Sequence, residues 1–194
     1  MHCNFDAETN INSMNIGYDG KRAFQNKTGL GNYIRSLLSA LVHYYPEEKY
    51  TLFAPRITHL FNPVSFPQIH VRTPERYFDK KFPALWRSRG IVKDIVTAGT
   101  DIYHGASNEL PAGIQRTNVK TVVTVHDLIF ERYPETYHFE EKFVHRWKIK
   151  NACAVADAII AASKQTKDDL IHFYKVPEHK ISVCINPVTR HLEK

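Results

Sequence analysis

The chain has 194 residues, 43% apolar and 24% charged, with a net charge of +6, a composition typical of a globular protein with one substantial core. Its apolar runs are short or interrupted by charge, so the sequence predicts neither a transmembrane helix nor a secretory signal, and it favours a cytoplasmic location. Three cysteines without a C-x-x-C pair indicate a reducing compartment and no zinc site, whereas the positive charge alone does not choose among nucleic acid, anionic lipid and anionic metabolites.

The first half of the chain alternates strand and helix patterns. Residues 16–19 are predicted to form a short apolar strand. The apolar side chains of residues 30–44 recur on one face of a predicted helix, which Pro46 ends. Two further strands are predicted at residues 50–54 and 69–71.

The segment 77–96 interleaves basic and apolar side chains, and Pro83 suits the first position of a helix within it. One interpretation is a basic amphipathic helix that lies on an anionic membrane. The residues that would make this contact are Lys80, Lys81, Trp86, Arg87 and Arg89. The alternative is an ordinary helix with a solvated charged face, because three apolar residues recur at helical spacing and need a core to pack on. These three are Leu85, Val92 and Val96.

The second half of the chain continues the alternation. Strands are predicted at residues 101–104, 120–127, 158–163 and 181–185. A helix at residues 139–156 places Phe143, Trp147 and Ala154 near one stripe, and a second helix, capped by Ser163, runs through Tyr174.

Strands that alternate with helices of this length predict an α/β fold, with a doubly wound, mostly parallel sheet and helices on both faces. In such sheets ligands bind outside the carboxyl ends of the strands. The loops that follow Asp19, His104, His126 and Ser163 are therefore the places where functional residues are expected.

The loop before the first long helix contains Gly29 and Gly31. Backbone amides at a helix start can face a phosphate or a sugar, and glycine permits close approach. The dinucleotide-binding fingerprint needs a third glycine where this chain has Ile34. The alternative, that the two glycines only relieve crowding at the turn, stays open.

His126 and Asp127 end the strand predicted at residues 120–127, whose β-branched residues indicate a buried parallel strand. An imidazole can hydrogen-bond a hydroxyl, and a carboxylate can orient or deprotonate one, so the pair is a candidate for chemistry. A structural alternative has equal support: Asp127 caps the following turn, and His126 satisfies a backbone carbonyl.

Several segments, in this order, resemble the N-terminal half of a family-four glycosyltransferase with the GT-B fold. They are NIGYDGKRAF, TGLGNYIRSLLSAL, DIYHGASNELP, KTVVTVHDLIF and ADAIIAASKQTKDDLIHFY. The resemblance covers residues 14–185 and implies a Rossmann-like domain of a retaining enzyme. Such an enzyme moves a sugar from a nucleotide-sugar donor to a glycan or lipid-linked acceptor, often in cell-surface polysaccharide assembly, and needs no metal or other cofactor.

The resemblance also implies roles for particular residues. His126 and Asp127 match the residues near the transferred sugar. The glycine loop, which comprises Gly29, Leu30, Gly31 and Asn32, matches the loop that faces the donor diphosphate and the acceptor. Other residues are expected to brace this loop or contact the acceptor. They are Asp19, Arg22, Tyr33, Asn108, Glu109 and Ser163.

The paired-glutamate motif with which the family holds the nucleotide does not occur in this sequence. We therefore expect an acceptor-binding domain at residues 14–185, inactive alone, whose donor-binding half lies in cis or in trans. Residues 186–194 are expected to be a truncated interdomain linker, and residues 1–13 a disordered leader.

Three other functional classes stay open. A non-catalytic module that binds a sugar or a protein partner would show binding without turnover. A nicotinamide-dependent oxidoreductase is disfavoured by the missing third glycine and by the lack of a suitably placed acidic residue. Nucleic-acid binding has no helix-turn-helix, zinc or RNA-binding signature to support it, so no nucleic-acid partner is predicted.

Overall fold

The computed structural model describes residues 13–184. Its centre is a seven-stranded sheet in which every pair of neighbouring strands is parallel, in the order β3-β2-β1-β4-β5-β6-β7. The strands are Asn15–Asp19 (β1), Lys49–Phe53 (β2), Ile69–Arg72 (β3), Ile102–Gly105 (β4), Lys120–Val125 (β5), Ala158–Ala161 (β6) and Ile181–Val183 (β7).

The α-helices alternate with these strands. They are Lys21–Gln25 (α1), Gly29–Tyr44 (α2), Tyr77–Lys81 (α3), Pro83–Leu85 (α4), Ile91–Thr97 (α5), Ile129–Arg132 (α6), Phe139–Val155 (α7) and Lys164–Tyr174 (α8). A π-helical turn, Trp86–Gly90, joins α4 to α5.

Two apolar clusters cover the two faces of the sheet. Adjacent residues of β2 show the alternation of a strand buried on both sides, because Leu52 belongs to one cluster and Phe53 to the other. The cluster with Leu52 packs under α2, and the cluster with Phe53 packs under α5, α7 and α8. The prediction of an α/β sheet with helices on both faces is confirmed, and the sheet is parallel throughout.

The strand order reverses between β1 and β4. The chain moves from β1 outward to β3 and then returns to place β4 on the other side of β1. In parallel sheets this reversal opens a crevice at the carboxyl ends of the two strands, where ligands bind. Asp19 ends β1 and Gly105 ends β4, so the loops that follow them border this crevice.

The predicted helix across residues 77–96 is wrong as a continuous element, because the structure breaks it into α3, α4, the π-helical turn and α5. Pro83 does begin a helix, as predicted. The π-helical turn shifts the helical register. As a result the buried side chains are Trp86, Ile91 and Ile95, whereas Leu85 and Val96 are exposed.

The predicted membrane contact through Trp86 and Arg87 is also wrong. Trp86 is only 1% exposed and donates its indole N–H to Asp94 at 2.6 Å. Arg87 points into the protein and pairs with acidic side chains. Of the five residues proposed for that contact, Lys80, Lys81 and Arg89 remain exposed.

The apolar stripe predicted on the helix at residues 139–156 does not face the core. Phe143 is 65% and Trp147 57% exposed, while Ile149, Ala152 and Cys153 supply the buried face of α7. The helix therefore presents aromatic side chains to solvent beside several cations.

Within residues 13–184, no helix has both the length and the apolar character needed to cross a membrane. The leader predicted at residues 1–13 lies outside the described residues except for Ser13, and the linker predicted at residues 186–194 lies wholly outside them.

Replacing Trp86 by alanine should lower the free energy of unfolding by about 3–5 kcal/mol, since it removes a large side chain from a packed core. Chemical denaturation followed by circular dichroism measures the change. The control is Tyr77→Ala, which alters an aromatic residue that is 81% exposed and should shift stability by no more than about 0.5 kcal/mol. Equal effects of the two substitutions would contradict the assignment of Trp86 to the core.

Candidate functional site

The glycine loop lies at the start of α2. Thr28 is the N-cap residue, but its side chain makes no cap hydrogen bond; its hydroxyl donates instead to the side-chain oxygen of Asn26 at 2.6 Å. The first amides of α2, at Gly29, Leu30 and Gly31, are therefore not capped by a threonine oxygen. Such amides, together with the positive end of a long helix, suit an anionic or hydroxyl-bearing ligand.

The two glycines of the loop are not equivalent. A Cβ at Gly31 would overlap the backbone carbonyl of Asn26, so this position needs glycine for internal packing. A Cβ at Gly29 would meet nothing within 4 Å, and Gly29 is exposed. The crowding explanation therefore holds for Gly31 and does not account for Gly29.

His126 directly follows β5, and three contacts hold its amide and its ring. Its amide donates to the side-chain oxygen of Asn108 at 3.0 Å, and its ring nitrogen Nε2 lies 3.0 Å from the carbonyl oxygen of Ala106. A carbonyl can only accept, so Nε2 carries the proton and a neutral ring leaves Nδ1 as an acceptor. The ring of Tyr33 packs edge-on against the imidazole at 4.9 Å between ring centroids.

These contacts bring two predicted regions together. Tyr33 belongs to the first turns of α2, whereas Asn108 belongs to the loop after β4. We call Tyr33, Asn108 and His126 the rim. Asn108 has a positive φ of 63°. Its amide donates to the backbone carbonyl of Thr124 at 3.0 Å, so both its backbone and its side chain link the loop after β4 to the end of β5.

Asp127 is exposed and its side-chain oxygen accepts the amide of Ile129 at 3.3 Å. This is the turn contact that the structural alternative predicted, just as the Ala106 contact is the one predicted for His126. Ser163 caps α8 by accepting the amide of Thr166 at 3.0 Å, as predicted. The Thr166 hydroxyl in turn donates to the carbonyl of His126 at 3.1 Å.

Asp19 is buried at the end of β1. Its carboxylate accepts the amide of Lys21 at 3.0 Å and pairs with Arg87, 68 residues away in the chain. Arg22 makes no hydrogen bond to Asp19 among the described residues, and its Nε is buried without a partner. The bracing partner of Asp19 is therefore Arg87 rather than Arg22.

Glu109 lies beside this pair. Its two oxygens bond the guanidinium of Arg87 at 2.5 Å and the ammonium of Lys148 at 2.8 Å. We call Asp19, Arg87, Glu109 and Lys148 the charge cluster. A Cβ at Gly105 would overlap the carbonyl of Glu109, so the loop after β4 folds back tightly onto the strand it leaves.

Comparison with known proteins places the chain in a family. Residues 28–191 match the sequence profile of Glycosyltransferase Family 4. The chain belongs to this family. A sequence search among curated proteins returned no match.

Solved glycosyltransferase structures share the fold of this family-four chain. HepE from Anabaena, in complex with UDP and glucose, is 14% identical with a TM-score of 0.57, over 90% of this chain and 44% of that one. A glycosyltransferase from Rickettsia africae is 17% identical with a TM-score of 0.52, over 90% and 43% of the two chains.

The lipopolysaccharide outer core galactosyltransferase WaaB, in its apo form, is 12% identical with a TM-score of 0.52, over 90% of this chain and 46% of that one. At these identities the likeness shows the fold alone. The chain thus spans less than half the length of the structures that it matches, and corresponds to one half of a GT-B fold.

Burial sets the protonation states around the site of this family-four domain. Burial and the nearby His126 lower the pKa of His104 to about 4, so its ring is neutral where its Nε2 meets the Thr124 hydroxyl at 2.8 Å. Burial alone would raise the pKa of Glu109, but Arg87 and Lys148 outweigh burial and hold it below its ordinary value. Both members of the Glu109–Arg87 pair are therefore charged.

The structure thus joins five of the twelve predicted site residues: Tyr33, Asn108 and His126 in the rim, and Asp19 and Glu109 in the adjoining charge cluster. Sequence reasoning missed Arg87 and Lys148 as members of the site, because their acidic partners are distant in the chain. A basic residue inside an apolar segment was the only local signal, and it also fits a solvated helix face.

Replacing Gly31 by alanine should lower the free energy of unfolding by about 1–3 kcal/mol, because the new methyl group overlaps the Asn26 carbonyl. The matched control is Gly29→Ala, which enters open space and should leave stability unchanged or raise it by up to about 1 kcal/mol, since alanine favours helix. Thermal denaturation compares the two. A Gly31→Ala protein as stable as the Gly29→Ala protein would show that the loop is not packed as described.

His104 predicts a pH dependence of stability. The pKa of His104 in the folded protein, about 4, lies below the ordinary value of 6.5. Between these two pH values the imidazole is therefore mostly protonated in the unfolded chain and mostly neutral in the folded one. The contribution of this group to stability is therefore complete above pH 6.5 and is lost as the pH falls towards 4, approaching about 3 kcal/mol. His104→Gln should flatten the decline measured by urea denaturation, and His43→Gln, at an exposed histidine, should not. An unchanged slope in His104→Gln would contradict a neutral buried imidazole.

Proposed function

We propose that this family-four domain is the acceptor-binding half of a retaining glycosyltransferase. The enzyme would transfer a sugar from a nucleotide-sugar to a glycan or lipid-linked acceptor, with a hexosyl or mannosyl type of transfer, in cell-surface polysaccharide assembly. The observation that supports this best is the rim. There the start of α2, the loop after β4 and His126 meet at the carboxyl edge of a parallel sheet.

The start of α2, His126 of the rim and Arg22 each suit a step of such a reaction. The uncapped amides at Gly29, Leu30 and Gly31 would face the diphosphate of the donor. Nδ1 of His126, which is an acceptor in the neutral ring, would hydrogen-bond a sugar hydroxyl. Arg22 would meet an anionic group of the donor or the acceptor.

The donor half is proposed to be a second domain, in cis or in trans. The structures that the chain matches are about twice its length, and one of them holds UDP and glucose. A second domain would supply the groups that stabilise the departing diphosphate, and these account for much of the rate of such an enzyme. The chain of 194 residues is therefore proposed to be inactive by itself.

A cytoplasmic location is proposed with this function, because nucleotide-sugars are expected on that side of the membrane. Peripheral contact with an anionic inner membrane surface would use Lys80, Lys81 and Arg89 with the exposed rings of Tyr77 and Phe78. The charge of +6 is compatible with such a contact.

One observation favours the alternative of a non-catalytic module. The side chains of both His126 and Asp127 already satisfy backbone groups, at Ala106 and Ile129. In a domain that only binds a sugar or a protein partner, these two side chains would need no role beyond these structural contacts. The same experiment separates the two functions.

The chain alone, given nucleotide-sugars and glycan acceptors, should form no product, and when joined to a family-four donor-binding domain it should transfer sugar. In the joined protein His126→Ala should lower kcat about 100-fold or more. His43→Ala, at an exposed histidine at the far end of α2, is the control and should leave kcat unchanged.

Turnover by the chain alone at an ordinary rate of about 1 per second or faster would overturn the half-enzyme proposal. Binding of acceptors without transfer by the joined protein would favour the non-catalytic module. Undiminished transfer by His126→Ala would remove His126 from the mechanism.

A further inference from the structure

A cavity of about 250 Å³ opens beside the rim. It lies where the strand order reverses, because Asp19 from the end of β1 and Tyr103 from β4 both line it. Its remaining walls come from α4, from the π-helical turn, from the loop after β4 and from α7. We call it the switch-point cavity. None of the predicted roles in the glycine loop or at His126 involves this space.

The charge cluster lines the switch-point cavity. It contains two carboxylates, Asp19 and Glu109, and two cations, Arg87 and Lys148, all joined by ion pairs. The side chains of Asp19 and Arg87 are 7% and 13% exposed, and that of Glu109 is 24% exposed. Four charged groups therefore line a cavity whose surface is otherwise mostly apolar, and their charges cancel.

The balance of charges in the cavity limits the kinds of ligand that it can bind. An anion would find both cations already paired, and a metal ion would find both carboxylates occupied by nitrogen donors. A neutral ligand with several hydroxyl groups meets neither obstacle. The ammonium of Lys148 donates to Glu109 and has further donors to offer, and the carboxylate oxygens can accept hydroxyl protons.

One wall of the cavity is aromatic. Trp147 lines it and is 57% exposed, although burial of such a large aromatic ring in the core would stabilise the fold. A flat aromatic face beside hydrogen-bonding groups suits a sugar ring, which has an apolar face of C–H groups and a polar edge. The cavity volume is close to the lower limit of about 300 Å³ for small-molecule sites. It therefore fits one ring rather than a chain.

We propose that the switch-point cavity binds a single neutral pyranose ring of the acceptor, with the ring face against Trp147 and its hydroxyls on the charge cluster. This inference rests on the proposed function and names the acceptor chemistry: a neutral sugar rather than a uronic acid or a phosphate. The loop after β4 connects the cavity to the rim, because Asn108 contacts His126 and the next residue, Glu109, belongs to the charge cluster.

The test is a titration of the ¹⁵N-labelled chain with methyl glucoside, galactoside and mannoside, and with methyl glucuronide, followed by NMR. A neutral pyranoside should bind and shift the signals around Trp147 and Glu109. Trp147→Ala should weaken this binding about fivefold to tenfold, since it removes the aromatic wall. The control is Phe143→Ala on the same helix. Phe143 is 65% exposed and lines the groove between α7 and α8 but not the cavity, so its loss should leave the affinity unchanged.

A second variant changes the charge balance. Glu109→Gln keeps the size of the side chain and removes one negative charge, so the charge cluster becomes net positive. The affinity for methyl glucuronide relative to methyl glucoside should then rise about fivefold or more. Glu135→Gln, at an exposed glutamate, is the control and should not change this ratio.

Equal effects of Trp147→Ala and Phe143→Ala, or tighter binding of glucuronide than of glucoside by the unaltered chain, would overturn the proposed subsite. Absence of pyranoside binding would overturn it as well. In each case sugar transfer by the chain joined to a donor-binding domain decides separately whether the proposed function stands.

Discussion

The ion pairs of Arg87 hold the carboxyl edge of the sheet together. One guanidinium joins Asp19 at the end of β1 to Glu109 in the loop after β4, and it comes from the turn that precedes α5. Removing such charges from water is costly unless each one is paired. The three segments are therefore fixed relative to one another, because displacement of any one would leave a buried charge without its partner.

The rim depends on this arrangement. Asn108 precedes Glu109, and it places its side-chain oxygen on the amide of His126 while its own amide bonds β5. The positive φ of Asn108 suits asparagine, which tolerates that conformation better than most residues. The position of His126 is thus set by backbone contacts on one side and by the ring of Tyr33 on the other.

Much of the fold could be predicted from local sequence. The β-branched run at residues 120–125 is a strand, and Ser163 caps its helix, because both features depend on neighbouring residues. The positions of His126 and the glycine loop at the carboxyl edge follow from the alternation of strands and helices. The charge cluster could not be predicted, since Asp19 and Arg87 are 68 residues apart and only the completed sheet brings them together. The outward orientation of Trp147 was missed for a similar reason, because a helix with apolar residues on two sides does not reveal which side faces the core.

The π-helical turn at Trp86–Gly90 has a consequence for how the chemistry of this edge is encoded. Here the amide of Ile91 reaches the carbonyl of Trp86, a longer loop than an α-helix forms. The widened turn sends the indole of Trp86 into the core and the adjacent guanidinium of Arg87 towards the carboxylates. The charges that face the crevice thus depend on the helical pitch of this turn as well as on its amino acids. A chain with the same residues but a regular α-helix at Trp86–Gly90 would direct different side chains into the crevice.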